Sequence, residues 1–308
     1  MSALAFTILA FALAGPVPAL LARASWPLRA PRAAIVLWQA VAAAAVLSAF
    51  SAGLALASRL FVPGPDGRPT SSIAGEIDAL GWPVWLCSVA VLALTLLIGA
   101  RLIVAVSKVA IETRRRRAHH RMMVDLLGEH RRELNGARVL QVSEPLAYCL
   151  PGLRSRVVLS EGTLAALTEP ELAAILRHER AHLRARHDLV LEAFIAVHTA
   201  FPRFVRSGSA LDAVRMLVEL LADDAAVRAV GPTPLARALV ACAAARTPAG
   251  AMAAGGPTTV IRVRRLSGPP NSLALALAAY LAAAAVLVVP TLAVAIPWLT
   301  ELRRLFLI

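Results

Sequence analysis

Four long stretches of the chain carry no charged side chain, and they constrain the fold more than any other feature. Asp, Glu, Lys and Arg are absent from residues 1–22, 33–58, 79–100 and 266–300. About 20 apolar residues are enough for a helix to cross the hydrocarbon core of a bilayer. We therefore predict membrane spans at residues 3–22, 34–57, 82–106 and 273–297.

The composition of the whole chain agrees with this prediction. Hydrophobic residues make up 58% of the 308 residues and charged residues 17%, whereas soluble domains average about 45–50% and about 25%. This balance excludes an ordinary soluble globular protein. The three cysteines are far apart in the sequence, so the chain indicates neither a disulfide framework nor a thiolate metal site.

The charged residues concentrate in one insert between the third and fourth predicted spans. This insert holds 24 of the 32 Lys and Arg residues and 15 of the 19 Asp and Glu residues. We therefore divide the chain into four parts: three spans in residues 1–107, a folded domain at 108–272, the fourth span at 273–297 and a short tail at 298–308.

The loops between the predicted spans indicate an orientation. Residues 23–32 hold three Arg and no acid, whereas residues 60–78 hold one Arg and three acids. Because cytoplasmic loops carry an excess of Lys and Arg, we expect a multi-pass protein of the cytoplasmic membrane. Its N-terminus would lie outside and its insert in the cytoplasm. The formal charge of +13 then reflects topology and anionic lipid, so we expect the lipid bilayer as a partner and no direct nucleic-acid binding.

The insert has the pattern of a mainly helical domain with some strands. Thr168-Glu169-Pro170-Glu171 is a capping box, which marks the start of a helix. The next predicted helix, at 189–201, is mostly apolar and would either dip into the membrane face or pack in the core of the domain. In chain order, we predict a basic helix at 114–134, strands at 137–142 and 156–160, helices at 168–183, 189–201, 209–230 and 233–246, and a linker at 247–259.

One string within the insert carries chemistry: His178-Glu179-Arg180-Ala181-His182. Residues four apart share a face of a helix, so both imidazoles can reach one ion. Imidazole nitrogen suits Zn²⁺, and a catalytic zinc takes three protein ligands and keeps one position open for water. We predict that His178 and His182 bind one zinc ion per chain and that Glu179 acts as the general base. Arg180 is unusual, because many such motifs carry an apolar residue there.

The third ligand must come from another part of the chain. Glu219 fits, since it lies among apolar residues and begins an ExxxD pattern on a second predicted helix. We expect Asp223, one turn later, to accept the free ring N–H of a ligating histidine, with Asp224 as the competing candidate for that task. His187 and Asp188 follow the motif closely; they would assist the site, or Asp188 would only cap the next helix.

Together these features resemble the BlaR/MecR-type membrane metallopeptidases. The resemblance rests on three N-terminal spans, the HExxH insert, Glu219 with Asp223, and a fourth span. It implies a gluzincin-like fold, so the expected fold class is a multi-span α-helical membrane protein with an inserted, mainly α (α+β) metallopeptidase domain. It also implies His178, His182 and Glu219 as zinc ligands, and signal-controlled cleavage of a cytoplasmic protein. In that family the usual target is a winged-helix repressor of the BlaI type, often after self-cleavage.

The resemblance departs from the family in one respect, and it leaves two alternatives. Antibiotic-sensing members carry a penicillin-binding domain after the fourth span, where this sequence has only residues 298–308. We therefore do not expect β-lactam binding, and the input would act through the spans or a partner. The alternatives are a quality-control peptidase of the HtpX or CAAX-protease kind, and a membrane signalling scaffold without activity.

Overall fold

The computed structural model describes residues 2–60, 72–134, 136–152, 155–202, 207–245, 256–296, 299–300 and 303. Its helices are α1 Ser2–Ala14, α2 Pro16–Arg23, α3 Pro31–Ala57, α4 Ile73–Leu80, α5 Trp82–Leu127, α6 Glu161–Ala166, α7 Glu169–Ala185, α8 His187–Ala200, α9 Ser207–Val230, α10 Pro232–Ala245, α11 Gly256–Leu266 and α12 Leu273–Pro290. The strands are β1 Glu129–Arg131, β2 Ala137–Leu140, β3 Ala147–Leu150 and β4 Arg156–Ser160. The described part of the chain is thus mostly helical, with one small sheet in the insert.

Among the described residues, four helices are long and apolar enough to cross a membrane. They are Ala3–Arg23, Pro31–Ala57, Trp82–Leu127 and Leu273–Pro290. Each coincides with one of the predicted spans, although the first is divided into α1 and α2 at Gly15, directly before Pro16. After α12 a π-helical turn continues the fourth segment to Ala295. That all four segments cross a bilayer stays a prediction. The division of the chain into units at residues 107, 272 and 297 also stays a prediction.

Helix α5 joins the third predicted span and the predicted basic helix into one rod. It has 46 residues, or about 69 Å at 1.5 Å per residue, which is more than twice the thickness of a hydrocarbon core. The prediction that the basic helix continues to residue 134 is wrong. The helix ends at Leu127 because Gly128 is extended, and the next three residues pair with β2 as strand β1.

The sheet has the order β1-β2-β4-β3. Strands β2 and β4 are parallel, and both outer pairs are antiparallel. The strand predicted at 156–160 is confirmed, whereas β2 ends at Leu140, before the predicted limit of 142. The sequence pattern missed β1 and β3, which have three and four residues and are too short for a period-two signal. Strand β3 lies at the outer edge, against α7.

The start of α7 agrees with the prediction from the sequence. The Glu171 carboxylate accepts a hydrogen bond from the backbone N–H of Thr168 at 2.9 Å, and both halves of the capping box form. This hydrogen bond lowers the pKa of Glu171. A capping box satisfies two backbone donors that a helix leaves free, so the register of α7 is fixed by Thr168, only ten residues before His178.

Helices α8 and α9 connect the insert to the apolar helices. Leu217 and Leu220 of α9 are buried in the same core as Trp38 of α3 and Phe194 of α8. Arg101 of α5 donates a hydrogen bond of 2.6 Å to the carbonyl of Ala200, at the end of α8. Of the two predicted alternatives, α8 is a core helix that packs between α5 and α9. The insert therefore shares its hydrophobic core with the membrane-type helices.

The predicted linker at 247–259 is in part a helix. Residues 246–255 lie outside the described residues, but α11 begins at Gly256. The Ala, Gly and Pro content of this stretch suggested a linker, whereas ion pairs between α11 and α9 stabilise a helix there. Helix α11 brings Arg262 to Asp223 and Glu219.

Candidate metal centre

His178 and His182 converge on one face of α7, as their spacing predicts. Their Nε2 atoms are 3.2 Å apart, and the two rings meet edge to face. His178 is 4% exposed and His182 lies in a partly buried position beside it. The helix therefore presents two imidazole nitrogens to the same small volume.

Glu219 reaches this volume from α9, which packs against α7. Its Oε2 lies 3.4 Å from Nε2 of His178, and its Oε1 lies 3.6 Å from Nε2 of His182. Ligands about 2.0–2.1 Å from a tetrahedral Zn²⁺ are about 3.3 Å from one another, so these separations fit such an ion. Two imidazoles and one carboxylate are also a donor set that zinc accepts. Among the described residues, these three form a group that could hold a metal ion.

Asp223 lies behind His178 and is fully buried. Its Oδ1 is 3.0 Å from Nδ1 of His178, on the side of the ring opposite Glu219, although the approach is too bent for a good hydrogen bond. Asp224, the competing candidate, points elsewhere and accepts hydrogen bonds from Arg265 and Asn271. The geometry therefore favours Asp223 over Asp224 as the partner of a ligating histidine.

His187 lies behind His182 in the same way. The Nδ1 atoms of the two rings are 3.0 Å apart, and His187 is 4% exposed. Asp188 instead pairs with Arg117 at 3.2 Å. The prediction that Asp188 caps the next helix is wrong: α8 begins at His187, one residue after α7 ends, and left-handed Arg186 is its N-cap. His187 thus lies next to the site, whereas Asp188 fastens α8 to α5.

Arg262 of α11 is the residue at this site that the sequence analysis missed. Its guanidinium donates two hydrogen bonds to Asp223, of 2.6 and 2.8 Å, and lies 3.0 Å from Oε2 of Glu219. A bidentate arginine–carboxylate pair has a fixed geometry, and Arg262 is 11% exposed. Asp223 is fully buried and Glu219 is partly buried, so this pair of acids favours a cation beside it, but nothing in the sequence indicated which of the 32 basic residues supplies it.

These contacts set the charges in the centre. Burial lowers the pKa of His178, but the carboxylates of Asp223 and Glu219 outweigh it and raise that pKa to about 9. Burial raises the pKa of Glu219, but the His178 ring and the Arg262 guanidinium outweigh it and lower that pKa to about 2. Burial lowers the pKa of His182 to about 4. Glu219 is therefore an anion and His182 a neutral base at neutral pH.

Glu179 follows His178 on α7 and faces strand β3. Burial raises the pKa of its carboxyl group, and the thiol of Cys149 is in hydrogen-bonding contact with it. Burial also raises the pKa of this thiol well above its usual range, and the negative charge of Glu179 adds to the effect. Cys149 therefore stays a neutral thiol, and Glu179 has a carboxyl pKa moved toward neutrality, as a general base requires.

Comparison with known proteins agrees with this geometry. The profile of Peptidase family M48 matches residues 111–269, slightly more than half of the 308-residue chain. The match contains every residue of the centre described above. Neither a curated protein nor a solved structure matches the chain. The chain belongs to Peptidase family M48, whose members are metallopeptidases and typically zinc-dependent.

Proposed function

We propose that the protein is a zinc endopeptidase of the cytoplasmic membrane that cleaves a regulatory protein in response to a signal. Membership of family M48 implies a membrane-associated zinc protease. The roles of the individual residues, the orientation of the protein in the membrane and the substrate are our proposal. The observation that carries it is the convergence of His178, His182 and Glu219, with donor separations of 3.2, 3.4 and 3.6 Å, beside the partly buried Glu179.

In this proposal His178, His182 and Glu219 hold the metal and Glu179 is the catalytic base. A bound zinc ion supplies Lewis acidity and lowers the pKa of water. The Glu179 carboxylate takes the proton of the attacking water and then gives it to the leaving amine. Asp223 faces Nδ1 of His178 and Arg262 holds both acids, so the ligands keep their orientation without metal.

The proposed orientation places the metal centre on the cytoplasmic side, with the N-terminus outside. The uneven distribution of Arg in the loops supports it. The shared core of α9 and α3 also supports a centre close to the membrane, because Leu217 and Leu220 flank Glu219 and contact the apolar helices. A substrate would therefore be cut near the inner face of the bilayer.

For the substrate, we propose a cytoplasmic regulator such as a winged-helix repressor of the BlaI type, the protein itself, or both. The support is the order of elements: three apolar segments, the HExxH helix, Glu219 37 residues after His182, and a fourth apolar segment. Quality control of membrane proteins would use the same centre. An inactive scaffold is disfavoured, because its ligands would have no reason to retain separations that fit zinc.

The number of different proteins that the protease cleaves distinguishes a regulatory role from a quality-control role. Cells carrying the wild-type chain are compared with cells carrying Glu179→Gln, and protein abundance is measured across the proteome. A regulatory protease predicts that one regulator, and the genes it controls, change between the two strains. Accumulation of many unrelated membrane proteins in the variant would instead identify a quality-control protease.

The affinity for zinc should rise with pH across the neutral range. Zinc binds neutral imidazole and releases the proton, and His178 has a pKa of about 9 before metal binds. His182, with a pKa of about 4, has already lost its proton. Each zinc ion bound below pH 9 therefore displaces one proton, and the apparent Kd should fall about tenfold per pH unit between about pH 5 and pH 8. An affinity that does not change over this range would contradict the raised pKa of His178.

Removing the acceptor behind His182 should weaken zinc binding. When Nε2 of His182 binds a metal, its Nδ1 carries the proton and donates to Nδ1 of His187. Loss of such a partner lowers metal affinity about 10–100-fold, so we expect that loss for His187→Leu. His187→Asn retains an acceptor close to the original position and should restore most of the affinity. Competition with a zinc-binding dye measures both variants, and equal affinity in both would refute the role of His187.

A further inference from the structure

Beyond the metal centre, another arginine of α11, Arg265, makes an unusual set of contacts. Arg265 donates through all three of its guanidinium nitrogens. Nε donates to the carbonyl of Leu28 at 2.6 Å, and the two terminal nitrogens donate to Asp224 at 2.7 Å and to Asn271 at 2.8 Å. Asn271 in turn donates to Asp224 at 3.0 Å. We refer to Arg265, Asp224, Asn271 and the Leu28 carbonyl as the Arg265 junction.

The Arg265 junction connects the insert to two of the apolar segments. Leu28 belongs to the short 3₁₀ turn Trp26–Arg29 before α3, and the last carbonyls of such a turn have no partner within it. Asn271 directly precedes Ser272, the N-cap of α12. The backbone N–H of Ser272 donates to the carbonyl of Arg29 at 2.8 Å. The start of α3, the start of α12 and helix α11 therefore meet at one guanidinium.

The other side of the junction leads directly to the metal centre. Asp223 and Asp224 are consecutive residues of α9, and each of them forms an ion pair with one arginine of α11. Arg262 pairs with Asp223 at 2.6 Å and Arg265 pairs with Asp224 at 2.7 Å. Residues three apart lie on the same side of a helix, so α11 and α9 are joined by two adjacent ion pairs. A shift of α11 that breaks one pair also moves the other.

Burial makes these pairs stronger than ordinary surface ion pairs. The side chains of Arg265 and Asp224 are 12% and 15% exposed, and charge-assisted hydrogen bonds in such places are short and directional. Next to the junction, Ala30 and Ala33 pack against Ala279 of α12. The two apolar segments therefore cannot separate there without disturbing the contacts of Arg265.

We propose that Arg265 is a positioning residue of the metal centre, acting through Asp224 and Arg262, and that it couples zinc binding to the arrangement of the apolar helices. The inference rests on the proposed function, and it identifies how a signal in the membrane reaches the site. A displacement of α12 or of the turn before α3 alters the contacts of Arg265. Helix α11 then shifts, and Arg262 no longer holds Glu219 and Asp223 in the geometry that binds zinc.

The test measures zinc affinity in the full-length protein in detergent, by competition with a zinc-binding dye, for Arg265→Gln. We expect about tenfold weaker binding, at the lower end of the effect of residues that touch a metal ligand. The matched control is Arg264→Gln, which removes the same charge from the preceding position of α11, where the side chain is exposed. Equal affinity in Arg265→Gln and Arg264→Gln would overturn the proposal.

A double variant distinguishes positioning from a general loss of stability. If Arg265 acts through Arg262, then adding Arg265→Gln to Arg262→Gln should weaken zinc binding less than about twofold further, because effects along one path are not additive. Full additivity would overturn the coupling. If Arg265→Gln does not fold, Asn271→Ala replaces it in the test. This variant removes one hydrogen bond from Arg265 and one from Asp224 and changes no charge. It should weaken binding in the same direction, and wild-type affinity would again overturn the proposal.

The same measurements keep this inference separate from the proposed function. A wild-type chain that binds no zinc would refute the proposed function before any variant is compared. A wild-type chain that binds one zinc ion, together with an Arg265→Gln variant of unchanged affinity, would refute only the role of Arg265.

Discussion

Replacing Glu179 with Gln should abolish proteolysis and leave the bound metal in place. The amide has nearly the same shape as the carboxylate but cannot take a proton from water. Loss of a general base typically lowers the rate by a factor of about 100 to 10,000, and we expect the upper part of this range. His178, His182 and Glu219 are unchanged, so the zinc content should stay at about one ion per chain.

The measurement compares new protein N-termini in membranes from cells with wild-type chain and with the variant. Glu169→Gln is the matched control, since it removes a carboxylate from the exposed first turn of the same helix. Wild-type cleavage in Glu179→Gln would show that another group is the base. Loss of zinc together with activity would show that Glu179 supports the metal centre itself.

Replacing Glu219 with Ala should remove the metal. Two imidazoles would remain, and the ion would lose both a ligand and the anion that offsets its charge. Substitution of residues that only touch a ligand lowers affinity about 10–100-fold, so loss of the ligand itself should exceed about 100-fold. Arg262 would also lose one of its two carboxylate partners, which adds an uncompensated cation close to the ion.

Zinc content of the purified variant, measured by elemental analysis after dialysis, tests this expectation. Asp212→Ala is the control, because Asp212 is an acid on the same helix with a side chain that is 77% exposed. Zinc near one per chain in Glu219→Ala would mean that another residue is the third ligand. A variant that binds little zinc but keeps wild-type helix content by circular dichroism would confirm the ligand role.

The local part of the site was predictable from the sequence. His178 and His182 depend only on helical spacing, and the capping box at Thr168 and Glu171 placed the start of that helix correctly. Glu219 required a tertiary contact, but an acid among buried leucines indicated it. Its apolar neighbours, Leu217 and Leu220, are fully or almost fully buried, whereas the Glu219 side chain is 38% exposed and points to the two histidines.

The rest of the site depends on contacts that no local pattern records. Arg262 and Asp223 are 39 positions apart, and an uncharged stretch rich in Ala and Gly precedes α11, which made it look like a linker. Strand β3 has four residues and is stabilised by pairing with β4 and not by its own sequence. The position of Cys149 beside Glu179 follows from that pairing, so the sequence alone could not reveal it.

X-ray absorption at the zinc edge of the purified full-length protein tests the central claim most directly. We predict one zinc ion per chain, with two imidazole nitrogens and carboxylate oxygen in the ligand shell and no sulfur, since the described residues that converge there are His178, His182 and Glu219. If the Glu219→Ala variant retains some zinc, the absorption spectrum of that zinc should lack the carboxylate contribution. A shell that contains sulfur, or one that is the same in wild-type and Glu219→Ala protein, would contradict the metal centre proposed for this chain.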